Sequence, residues 1–160
     1  MENKVILDTS VLMIPGRNTS RDIFFELLKL LGNFEAIVPS YVIAELQGIV
    51  DNNKKSRKVR DAAKIGLGLT EKLAAERELE KAARTGLKKA VVPGFVYDLH
   101  IEEAHKSMKT VDDSLIDFSM KLGARLCTSD KGLLKKAEAK GLNVLFIGAL
   151  KYPKRSRTKK

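Results

Sequence analysis

Four short aliphatic runs constrain this chain more than any other feature. They are KVIL (4–7), AIVP (36–39), ARLCTS (124–129) and NVLFIG (143–148). None of them alternates apolar and polar residues at period two. A strand wetted on one face must do so, whereas a strand covered on both faces need not. Between the runs lie stretches with helical spacing. Ile23, Phe24, Leu27, Leu28 and Leu31 share one face, with Thr19 or Ser20 placed to cap the start and Gly32 the end. Val42, Ile43, Leu46, Ile49 and Val50 form a second apolar face behind Ser40, a candidate N-cap. DDSLIDFSMKLG and KGLLKKAEAKG predict two further helices, closed by Gly123 and Gly141. Alternating strands and helices predict an α/β sandwich around a mostly parallel sheet, with its site at the carboxyl ends of the strands.

The middle of the chain is less definite. Residues 54–86 read as helical, split in two near Gly66, Gly68 and Thr70. VV (91–92) and FVY (95–97) read as short strands around a Pro93–Gly94 turn. With 160 residues, 44% of them hydrophobic, the chain suits one domain over 1–150. The segment 151–160 has little apolar content and is expected to be a disordered basic tail. No apolar run reaches the roughly 18 residues that span a bilayer, so no membrane partner is expected. The N-terminal run is too short for a signal peptide, and the lone Cys127 allows no internal disulfide. A cytoplasmic protein is the expectation.

Acids stand where this fold puts its site. Asp8 directly follows the first strand and Asp130 the third. Glu45 lies on the border of the apolar stripe formed by Val42 and Ile49. Asp112 opens a helix, with Leu115 and Ile116 one turn on, so it too sits at the edge of a buried face. Four carboxylates converging without a cation would repel, by about 1 kcal/mol per pair at 4 Å in water-like surroundings and about 4 at an effective dielectric near 20. A divalent ion relieves this. A site of carboxylates without Cys or paired His suits Mg²⁺ or Mn²⁺ rather than Zn²⁺.

Each acid also has a plainer reading. Asp8 can end a strand, Glu45 can be solvated, and Asp130 can cap the helix after it. Asp113 fits a capping box with Thr110, and Asp117 pairs with it at i, i+4 with Lys121 next on the row. Asp113 is thus a metal candidate with a structural explanation of its own. Thr9, Ser10, Thr128 and Ser129 flank Asp8 and Asp130 and can orient a carboxylate, as can Asp117; ordinary turn chemistry explains the hydroxyls equally well. His100 and His105 have no ligand spacing and read as surface residues. Cys127 reads as a small buried hydrophobe.

Thirty Lys and Arg against twenty Asp and Glu leave a formal charge of +10. The excess is concentrated in KKSRKVR (54–60) and KYPKRSRTKK (151–160). Basic surfaces favour polyanions through counterion release, although solvated Lys-rich faces are also common. Lys54, Lys55, Arg57, Lys58, Arg60, Lys154, Arg155 and Arg157 are therefore candidate nucleic-acid-binding residues. Basic surface with an acidic pocket is what a metal-dependent nuclease requires.

VILDTSVLM, SYVIAELQGI and VDDSLIDFSMKLGARLCTSDKGLLKKAEAKGLNVLFI together resemble the PIN-domain family in order and spacing. The resemblance covers nearly the whole chain and is weakest over 51–95. It implies a flavodoxin-like, three-layer α/β/α fold and an Mg²⁺- or Mn²⁺-dependent endoribonuclease acting on single-stranded RNA, with the basic residues of 54–60 and 151–160 holding that RNA. It carries the catalytic and metal roles to Asp8, Glu45, Asp112 and Asp130, choosing Asp112 over Asp113 by its separation from Asp130. It also implies a homodimer and one of two settings: a VapC-type toxin held by an antitoxin protein, or a ribosomal-RNA processing nuclease working with ribosome-assembly factors. The Asp112–Asp113 pair and the basic tail favour rRNA processing. A non-catalytic RNA-binding scaffold is the alternative of another class. A haloacid-dehalogenase phosphatase would need a second Asp where Ser10 stands.

Overall fold

A computed structural model describes residues 3–87 and 97–148. The expected VV strand, the Pro93–Gly94 turn, and the basic tail with Lys154, Arg155 and Arg157 lie outside the described residues. The elements run β1 (Lys4–Leu7), α1 (Thr9–Leu12), α2 (Ile14–Arg17), α3 (Ile23–Leu31), β2 (Phe34–Pro39), α4 (Ser40–Asp51), α5 (Arg57–Leu87), β3 (Tyr97–Glu102), α6 (Val111–Leu122), β4 (Arg125–Thr128), α7 (Lys131–Ala139) and β5 (Val144–Phe146). The sheet is parallel throughout, in the order β3-β2-β1-β4-β5. Right-handed crossovers put the helices between β1 and β3 on one face, and α6 and α7 on the other. This is the expected sandwich, with a fifth strand.

The non-alternating runs are explained by burial. Val5, Ile6 and Leu7 are all fully buried, and so are Leu126 and Cys127 of the neighbouring β4. Central strands covered on both faces have no wet side to mark with polar residues. β3 escapes the same reading because it lies at the sheet edge, and its sequence, YDLHIE, carries three polar residues at alternate positions.

Two helix expectations are corrected. The break expected near Gly66, Gly68 and Thr70 is absent, and α5 is one helix of 31 residues. Gly66 is there for packing: a Cβ on it would stand 2.3 Å from the Leu12 carbonyl oxygen of α1. Thr70 Oγ1 donates to Gly66 O at 2.8 Å, a bond made within the helix rather than against it. The caps differ too. Asp22, not Thr19 or Ser20, caps α3 by accepting from the N–H groups of Phe24 and Phe25. Ser40 does not cap α4. Its hydroxyl donates to Ala104 O at 2.9 Å and accepts from Ala104 N at 3.0 Å, tying α4 to the segment after β3. The Gly ends hold: Gly32, Gly123 and Gly141 all have positive φ.

Candidate active site at the carboxyl edge

The strand order reverses between β1 and β4, and at such a switch point the loops leave in opposite directions and open a crevice. Asp8 leaves β1 at this seam and donates its N–H to Cys127 O at 3.1 Å. It is 4% exposed. Its Oδ2 accepts from Ser10 Oγ at 2.7 Å and from Thr128 Oγ1 at 2.8 Å. Each hydroxyl has one proton, and that proton goes to Asp8. Each hydroxyl oxygen then accepts from the turn after β4: Ser129 N to Ser10 Oγ and Asp130 N to Thr128 Oγ1, both at 3.0 Å. The segment carrying Asp130 is thus hung on the two hydroxyls that hold Asp8.

Glu45 reaches the site from α4. Thr9 Oγ1, one residue beyond Asp8, donates to Glu45 Oε1 at 2.5 Å. Asp112 stands in the first turn of α6. Burial raises its carboxyl above the usual range, and the charges of Asp8 and Asp130 push it further. Burial also raises Asp8, with Glu45 adding to it, against the lowering by Ser10 and Thr128. Asp130 spends Oδ1 on capping α7, accepting from Gly132 N at 2.8 Å and Leu133 N at 3.4 Å. Asp112 thus lies within electrostatic reach of Asp8 and Asp130, and Asp8 within reach of Glu45.

Asp113 and Asp117 face elsewhere. Thr110 caps α6 by accepting from Asp113 N, and Lys136 of α7 lies 3.3 Å from Asp113 Oδ1. The Thr110 hydroxyl and Lys136 hold the Asp113 carboxyl below its usual range. Ser107 and Lys121 do the same for Asp117. Two groups had no sequence signal. Lys136 offsets part of the repulsion at Asp112, and it belongs to an ordinary charged helix face. Tyr41 buries a hydroxyl without a hydrogen-bond partner near Asp117, and its pKa is pushed up to about 12 by burial.

His100 is corrected from a surface residue. It sits on β3, mostly covered, with Nδ1 3.4 Å from Glu35 Oε2 and Nε2 3.4 Å from Glu102 Oε1. His105 is exposed. Cys127 is fully buried, and burial pushes its thiol far up, away from the thiolate a metal would need. Lys54, Lys55, Arg57 and Lys58 are exposed, while Arg60 is half-buried.

The donor set fits a hard divalent cation, being carboxylates and hydroxyls with no soft ligand in the crevice. Among the described residues, no three His, Cys, Asp or Glu side chains approach closely enough to enclose an ion as they stand. No described helix is long and apolar enough to cross a membrane.

A family model described as "PIN like domain" matches residues 5–92, more than half of the chain. No curated protein matches the sequence. A solved domain of a functionally unknown protein from Methanocaldococcus jannaschii DSM 2661 superposes with a TM-score of 0.56 at 22% identity, covering 98% of this chain and 99% of that one. The PIN domain endonuclease Utp24 superposes with a TM-score of 0.52 at 20% identity, covering 91% and 85%. At such identities the likeness is one of fold.

Proposed function

The chain belongs to the PIN-like domain family, and from that premise we propose that it is a metal-dependent endoribonuclease hydrolysing phosphodiester bonds of single-stranded RNA. One observation carries the reading. The Asp112 carboxyl is raised by burial and by the charges of Asp8 and Asp130, which come from separate strands. A fold gains nothing from such repulsion unless a cation or a substrate uses it.

Asp8, Glu45, Asp112 and Asp130 would hold Mg²⁺ or Mn²⁺. When bound, such a cation supplies the Lewis acidity that phosphodiester hydrolysis needs. The protein's own groups set the frame for it. Ser10 and Thr128 lower the Asp8 carboxyl against the larger rise that its burial causes. Thr9 holds Glu45 through its Oε1. The N-termini of α6 and α7 turn their positive ends toward the acids that start them, and so toward an anionic substrate. Ribosomal-RNA precursors are the substrate class to test first, given the basic excess; a toxin would instead be encoded beside a small antitoxin.

A second reading, an RNA-binding scaffold without activity, is favoured by the looseness of the carboxylates. Labelled single-stranded RNA incubated with Mn²⁺, then with excess EDTA, separates the two. Cation-dependent cleavage that Asp8→Asn abolishes supports the nuclease. No such cleavage, or equal cleavage by the variant, leaves the scaffold.

A further inference from the structure

The basic residues after α4 are not an undivided charged surface. Arg57, Arg60 and Lys64 line one cleft of about 430 Å³ with Val50 and Asp61. Lys54, Lys55 and Lys58 do not line it. Three cations against one acid give the cleft a net positive charge. Arg60 is fixed there: its Nε donates to Val50 O at 3.0 Å, and Val50 lies in the last turn of α4. That bond leaves both Nη groups for a two-pronged contact of the kind that suits phosphate. Arg57 is free to turn inward, because its Nε stands 4.0 Å from Asp61 Oδ2 across an exposed pair.

We propose that this cleft is a phosphate clamp for single-stranded RNA, and that it sets which phosphate reaches the acids. Its effect on cleavage rests on the nuclease reading; the binding does not. α4 supplies the geometry. Glu45 and Val50 are five residues apart on one helix, about 7.5 Å along its axis and about 140° around it. One rigid element therefore carries both the acid held by Thr9 and the carbonyl that fixes Arg60. A strand clamped by Arg57, Arg60 and Lys64 is measured off against Glu45 by the helix itself. The plain alternative is that Arg60 merely satisfies a carbonyl at the end of α4 and its neighbours are solvated.

A charge-matched pair of variants decides. Arg57→Gln/Lys64→Gln removes two cleft cations, and Lys54→Gln/Lys55→Gln removes two outside it. Both leave Arg60 on Val50. Binding of fluorescein-labelled, mixed-sequence single-stranded RNA is followed by anisotropy in EDTA, across a salt series. The cleft double is expected to weaken binding about tenfold near 0.1 M salt and to lower the salt slope by about 1.4, at about 0.7 per phosphate contact. The outer double is expected to cost less than about threefold. Equal losses in the two doubles, or no loss in the first, overturn the clamp. Because no divalent ion is present, absence of cleavage leaves this result standing, and equal binding leaves the nuclease reading standing.

Discussion

Thr128 Oγ1 donates to Asp8 Oδ2 at 2.8 Å, joining residues 120 apart in sequence. The bond crosses the seam between β1 and β4, where the strand order reverses. The same hydroxyl accepts from Asp130 N, so one side chain sets two of the acids relative to each other. Thr128→Val keeps the β-branched shape and removes both bonds. It is expected to cost about 1–3 kcal/mol, because a buried carboxylate and a backbone N–H lose a partner. Thr128→Ser is expected to retain most of that stability. Urea denaturation of the two variants is the check, and equal midpoints would contradict this role for the hydroxyl.

Asp8→Asn is expected to abolish cleavage and, without cations, to stabilise the fold. Removing the buried charge at neutral pH relieves repulsion with Glu45 and Asp112, an effect on the order of 1 kcal/mol, or about 2–4 °C in a domain of this size. The pH dependence has a definite sign. Burial raises the native Asp8 carboxyl above its ordinary value of 3.8, so the native state holds the proton to higher pH than the unfolded chain. The wild type should therefore lose stability relative to Asp8→Asn as pH rises from about 4 through the raised value. Below that window the gap should close. Melting both proteins in EDTA between pH 3.5 and 7 tests this; a gap independent of pH would count against it.

Mn²⁺ should raise the melting temperature of the wild type. The gain is about 2.7 kcal/mol when the ion is at a hundred times its dissociation constant. Asp112→Asn should lose most of the shift. Asp113→Asn should keep it, because Asp113 faces Lys136 and Thr110. The reverse ranking would exchange the roles of the two neighbours.

Gly66→Ala and Gly68→Ala sit two residues apart on α5 and should have opposite effects. A Cβ at 66 meets the Leu12 carbonyl of α1, while one at 68 meets nothing within 4 Å. Helix propensity favours Ala at both, by about 0.5–1 kcal/mol. At 68 that gain should appear as a higher melting temperature. At 66 the clash between backbones should outweigh it, costing about 1–3 kcal/mol. Thermal melts of the single variants decide.

Much of this was open to a reading of the residues alone. β1, β2 and β4 announce themselves because strands buried on both faces must be uniformly aliphatic, and their order with the intervening helices requires a parallel sheet. The acids were legible because Asp8 and Asp130 follow strands directly, and fold topology dictates where strand ends lead. β3 was obscured because an edge strand keeps polar residues such as His100, whose carboxylate neighbours Glu35 and Glu102 are invisible along the chain. The length of α5 was obscured because Gly66 carries the same letter whether it ends a helix or admits another backbone. Local patterning thus determined the elements, the sheet type and the candidate acids, since these follow from periodicity and burial. That Thr128 holds Asp8 and that Thr9 holds Glu45 was decided only by tertiary structure. Those bonds join residues 120 and 36 apart in the chain, and no local propensity encodes them.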